Sequence, residues 1–156
     1  MDFFTLLKTL HVIGAAVLFG TGAGIAFFML MAHRTRDAAL IAHTARIVIV
    51  ADMLFTASAV ILQPLTGAAL AQQAGLSLFS GWIGVSLILY AATGLFWLPV
   101  VWIQVRMKNL ALEAAGAEQP LPDSYFVLFR IWFALGFPAF ASVAAIFWLM
   151  IAKPDF

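Results

Sequence analysis

The sequence predicts an all-α fold, a four-transmembrane-helix bundle, and three observations lead there. Hydrophobic residues make up 65% of the 156-residue chain and charged residues only 10%, where a soluble domain carries about 45–50% and about 25%. The apolar residues gather into four runs, each reaching the roughly 20 residues that a helix needs to cross a hydrocarbon core of about 30 Å. None of the runs shows the alternating polarity of barrel strands. Residues 1–156 are therefore expected to form a single integral membrane domain with the lipid bilayer as its solvent.

The first span covers about residues 3–31. It is far longer than the 7–15 residues of a signal-peptide core, and Arg34 and Arg36 follow the apolar run instead of preceding it, so a retained span is expected. The second covers about residues 47–71 and contains Pro64. The third covers about residues 82–105, where Trp97, Pro99 and Trp102 mark a kink and fill space. The polar stretch KNLALEAAGAEQP follows, its first half continuing the helix. The fourth covers about residues 126–152, with Pro122 and Asp123 as its start signal. Pro64 and Pro138 lie at different depths, which speaks against a duplicated transporter.

Charge sets the expected topology. Arg34, Arg36 and Arg46 flank the first connection, and Arg106, Lys108 and Arg130 flank the third. Only Lys8 and Lys153 lie at the other end. The positive-inside rule then puts connections one and three in the cytoplasm and both termini on the non-cytoplasmic side. Trp82, Tyr125, Trp132 and Trp148 fall where an interfacial aromatic belt belongs. A net charge of +1 leaves no field for nucleic acid. With no cysteine, disulfides, zinc–thiolate sites and iron–sulfur clusters are excluded. No G-x-S-x-G, H-E-x-x-H or Walker-type loop is present.

Ionisable and amide side chains inside a membrane are costly, so Lys8, His11, Asp52, Gln63, Gln104 and Arg130 are the candidates for function. Counting depth from the helix ends puts His11, Gln63 and Tyr90 in one polar layer. Pro64 would free a backbone carbonyl one turn earlier, near Val60. Such a layer could hold a cofactor, a quinone-like ring or a proton path, or simply bind helices together. Asp52 and Arg130 lie at matched depth from the basic end, which suggests an interhelical salt bridge; Arg130 could instead meet a propionate or a lipid phosphate. Gly20 and Gly24 form a G-x-x-x-G, expected to serve close packing within the bundle or a homo-oligomer. Met29 and His33 share a helix face, a poor basis for copper. His33 and His43 sit among arginines, as a solvated face against anionic headgroups.

The stretches LLKTLHVIGAAVLFGTGAGIAFFMLMAHR, ADMLFTASAVILQPLTG and LFWLPVVWIQVRMKNLA resemble an uncharacterised family of bacterial integral membrane proteins, the domain of unknown function numbered twenty-two sixty-nine. That resemblance implies a multi-pass protein of the bacterial inner membrane. The pattern Lys8–Thr9–Leu10–His11 is also similar, more distantly, to the first helix of HemJ-type protoporphyrinogen oxidases. The second resemblance implies haem b with His11 as axial ligand and metal site, a redox role, and a pocket shaped by Gln63, Tyr90 and Arg130. Met150 or a partner subunit could fill the other axial place. Three readings follow: a haem-binding redox protein of the membrane, a cofactor-free scaffold or accessory subunit, and a small transporter. A quinone or porphyrin ligand belongs to the first.

Overall fold

The computed structural model describes residues 2–79 and 81–155. Helix α1 (Phe3–Thr35) opens at Asp2, whose carboxylate accepts the Thr5 N–H at 2.7 Å. That bond holds the exposed Asp2 carboxyl below the usual carboxylate range. The helix closes at Arg36, left-handed at φ 57°, whose N–H returns to the His33 carbonyl. Asp37 then caps α2 (Ala38–Ala51) by accepting the Leu40 N–H at 3.0 Å. With only Arg36 and Asp37 between them, α1 and α2 fold back on one another.

Residues Asp52–Thr56 form one π-helical turn, and α3 (Ala57–Gln73) continues the rod. Together they make a single membrane-length helix, Ala38–Gln73. Gly75, at φ 68°, starts the turn beyond it. The last two helices are α4 (Gly81–Gly116) and α5 (Asp123–Ala152), the latter entered from extended Pro122. The architecture is therefore the expected all-α bundle of four long apolar helices. The helices overrun the predicted spans at the basic end, α2 beginning at Ala38 and α4 ending at Gly116. Ala, Leu and Glu in those overhangs are good helix formers, and hydrocarbon thickness limits a span and not a helix.

The two halves of the bundle differ. At the basic end, Met29, Ile41, Ala45, Met107, Ala111 and Tyr125 are wholly buried in one core. Small residues, Ala42 and Ala45 on α2 and Ala111 and Ala114 on α4, accompany the close packing of those helices. Towards the termini, α3 packs on α1 and α4 on α5, but among the described residues no Cα of α3 comes within 8 Å of one in α4. Ile88, Leu95, Leu98 and Ile151 are exposed on the outside, as lipid-facing residues must be.

Three expectations are corrected. Asp52 and Arg130 do not pair: Arg130 is exposed and donates through Nε to the Phe126 carbonyl at 3.4 Å, while Asp52 turns to Trp97 on α4. The second span and α5 make no backbone contact among the described residues, so equal depth does not become proximity. His33 is not a solvated residue. It stacks on Phe129 at 3.5 Å between ring centroids and 2° between planes, and its Nδ1 lies 3.3 Å from the Tyr125 hydroxyl. His43 is exposed, as expected. Gly20 and Gly24 do not serve packing within the bundle, since a Cβ at either would meet nothing within 4 Å.

Met107→Ala should destabilise the chain by about 2–5 kcal/mol, whereas lipid-facing Ile88→Ala should stay within about 0.5 kcal/mol. Denaturant unfolding in mixed micelles measures both.

Candidate functional site

The expected layer forms in two parts. In the first, Gln63 donates through Nε2 to the His11 carbonyl at 2.9 Å, and His11 Nδ1 lies 2.8 Å from the Thr66 hydroxyl. Glycines make the space. A Cβ on Gly14 would fall 2.4 Å from Gln63 Nε2, and one on Gly67 would fall 3.2 Å from His11 Cε1. The Thr66 hydroxyl spends its proton on the Leu62 carbonyl at 2.7 Å. It must then accept from His11 Nδ1–H, which leaves the lone pair of the neutral ring on Nε2.

In the second part, the Tyr90 hydroxyl donates to the Val60 carbonyl. This is the carbonyl that Pro64, lacking an N–H, leaves open four residues earlier. Tyr90 thereby ties α4 to α3 where their backbones stand apart.

Beside Tyr90 the parted helices frame a half-open chamber of about 410 Å³. Its walls come from all four spans, and they are apolar and aromatic: Phe19 from α1, Trp97 from α4, and Trp132, Phe133, Phe137 and Phe140 from α5. Three glycines, Gly22, Gly94 and Gly136, widen it. At Gly94 and Gly136 an added Cβ would meet open space.

Polar side chains face this apolar space without partners. Asp52 is 3% exposed; its Oδ1 accepts a long 3.3 Å hydrogen bond from Trp97 Nε1, and its Oδ2 has none. Gln104, 1% exposed, leaves Oε1 unbonded. Trp132 Nε1 is likewise buried and unbonded, and the buried Thr56 hydroxyl has only the Asp52 carboxylate beside it. The contrast with other membrane hydroxyls is sharp, because Thr9, Ser58, Thr66, Ser86 and Thr93 all bond to a carbonyl of their own helix. Asp52 and Thr56 open and close the π-helical turn, and, lying about one turn apart, both line the chamber wall.

Of the predicted site residues, His11 and Gln63 come together between α1 and α3, and Tyr90 borders the chamber. Arg130 is exposed and does not line it. Trp97, expected to fill space, instead bonds Asp52. Thr56, Thr66 and Trp132 were not singled out by sequence. Only the spacing of Asp52 and Thr56, one turn apart, could have pointed to Thr56.

The chamber lining includes no histidine, cysteine or methionine that could bind haem iron, and the Tyr90 hydroxyl is engaged. His11 Nε2 does suit an iron or another metal, at the α1–α3 interface and apart from the chamber. Among the described residues no three His, Cys, Asp or Glu side chains gather as a metal site.

Among known proteins, the model of a family described as predicted integral membrane protein (DUF2269) matches residues 5–154. No curated protein and no solved structure matches the chain.

Gly14→Ala should push the Gln63 amide off the His11 carbonyl and cost about 1 kcal/mol, the worth of one hydrogen bond. In a Gln63→Ala background the same change should cost far less, so thermal unfolding of the four chains in a double-mutant cycle reads the contact directly.

Proposed function

The chain belongs to the DUF2269 family of predicted integral membrane proteins, and from that premise we propose that it binds a lipid-soluble small molecule in its intramembrane chamber. One observation carries this reading: Asp52, Thr56, Gln104 and Trp132 are buried around an apolar space, where Gln104 Oε1 and Trp132 Nε1 have no partner and Asp52 has only the long bond from Trp97 and the neighbouring Thr56 hydroxyl. An orphaned buried polar group costs about 1–3 kcal/mol, and no bulk water reaches hydrocarbon to relieve it. A ligand carrying hydrogen-bonding groups on an apolar body relieves all of these costs together. The volume of about 410 Å³ lies within the roughly 300–1,000 Å³ of small-molecule sites.

Filling the chamber should abolish uptake. Gly94→Leu and Gly136→Leu both send a side chain into open space, so the fold should survive while the site closes. In nanodiscs, bromobenzene should quench the fluorescence of the chamber tryptophans Trp97 and Trp132 saturably, with Trp82, Trp102 and Trp148 changed to Phe. Saturation should vanish in either glycine variant. Quenching that rises linearly with bromobenzene in all three proteins would overturn the reading.

A second reading has its own support. His11 is held as the Nδ1–H tautomer by Thr66, with Nε2 left to ligate. In this reading haem b binds through His11 at the α1–α3 interface, and the cofactor would supply the redox chemistry. The purified protein, oxidised and then reduced with dithionite, should show a Soret band with reduced α and β bands. His11→Ala should lose that spectrum and His33→Ala should keep it. A protein that stays colourless after haem is added sinks the second reading.

A further inference from the structure

The geometry points to the class of molecule the chamber takes: a quinol, an aromatic ring with hydroxyls on opposite edges and an apolar tail. The inference rests on the chamber reading and adds the chemistry of the ligand.

The walls favour a flat ring. Phe19, Trp97, Trp132, Phe133, Phe137 and Phe140 present π faces and edges from three helices, and aromatic pairs prefer offset-stacked or edge-to-face contact.

The orphaned atoms select the substituents. Asp52 Oδ2 and Gln104 Oε1 accept hydrogen bonds, and Trp132 Nε1–H can only donate. A plain hydrocarbon satisfies none of them. A lipophilic cation bearing only donors leaves Trp132 orphaned, and a fatty acid sets a second carboxylate against Asp52. A hydroxyl both donates and accepts, so a quinol answers both kinds of group, whereas a quinone, with carbonyls only, answers Trp132 alone.

Placement selects two edges. Asp52 stands on the second span and Trp132 on α5, and among the described residues these elements make no backbone contact. The chamber lies between them. In the proposed pose one ring oxygen donates to Asp52 and the opposite oxygen accepts from Trp132.

Access completes the case. The chamber lies beside the parting of α3 from α4, which Tyr90 bridges through its bond to the Val60 carbonyl. That parting is the route by which a ring would enter from the bilayer while an isoprenoid tail remains in it.

The test is equilibrium binding of tritiated ubiquinol-1 to the full chain in nanodiscs, with naphthalene and tetraphenylphosphonium as competitors. Saturable binding is expected, weakened about tenfold or more by Asp52→Ala and by Trp132→Phe. Asp52→Asn, which keeps a carbonyl acceptor, should recover part of the loss, and Gly136→Leu should abolish binding. Thermal unfolding of each variant confirms the fold; should Asp52→Ala fail to fold, Trp132→Phe and Asp52→Asn carry the test. Unchanged affinity in the Asp52 and Trp132 variants overturns the proposal, as does naphthalene or tetraphenylphosphonium competing more strongly than unlabelled ubiquinol-1. Naphthalene uptake that Gly136→Leu abolishes would leave the chamber standing and remove only the quinol. Failure of every probe to bind removes both.

Discussion

No water reaches the middle of a bilayer, and the arrangement of this protein follows from that constraint. Every backbone and side-chain polar atom there must find its partner in the chain or in something the chain holds. The helices satisfy their own peptide groups. The membrane hydroxyls bond back to their own carbonyls, as Thr66 does to Leu62 and Ser86 to Trp82. Pro64 breaks this self-sufficiency at Val60, and Tyr90 repairs the break from a neighbouring helix. A defect in one helix thus becomes a link between two. The same rule makes the atoms around the chamber informative, because they are the places where the chain does not satisfy itself.

Close packing and open space occupy different halves of the bundle. The basic end is closed by alanines and by the His33, Tyr125 and Phe129 cluster, with side chains packed as in a soluble core. That closed end holds the four rods in register. The other half can then stand open without the helices separating, with α1 on α3 and α4 on α5 as two pairs facing each other across the chamber. Ile25 and Trp132 belong both to that closed core and to the chamber wall, with Ala26 and Val100 packed against it; the other chamber side chains stand outside it. They can therefore be shaped by what they contact inside the cavity.

Much of the fold was legible in the sequence, because hydrophobic length in a membrane maps directly to structure. The four spans, the helical extension after Lys108 and the start at Pro122 all emerged as read. Depth counting also worked where two helices happened to touch: His11 met Gln63, and the carbonyl freed by Pro64 proved to be that of Val60. Counting failed where it had to supply azimuth. Asp52 and Arg130 share a depth but belong to helices that do not meet, and Arg130 points outward. Nothing in the sequence announced the π-helical turn, which decides the direction Asp52 faces. A patch of apolar and aromatic residues reads the same whether it lines a cavity or faces lipid, so the chamber was invisible until the helices had neighbours.

The π-helical turn has a consequence for how such a chain changes over time. Before it, α2 packs against both α1 and α4; after it, α3 keeps α1 and leaves α4. The turn holds an extra residue, and each residue of an α-helix accounts for about 100° of rotation. Losing one residue between Asp52 and Thr56 would wind the turn back to α geometry and swing all of Ala57–Gln73 through that angle, carrying Thr66 away from His11. Substitutions alter the lining of this protein one side chain at a time. A change of length at this one turn would redirect half a span at a stroke, so in descendants of this sequence a single-residue gap here would mark a new partner for Ala57–Gln73.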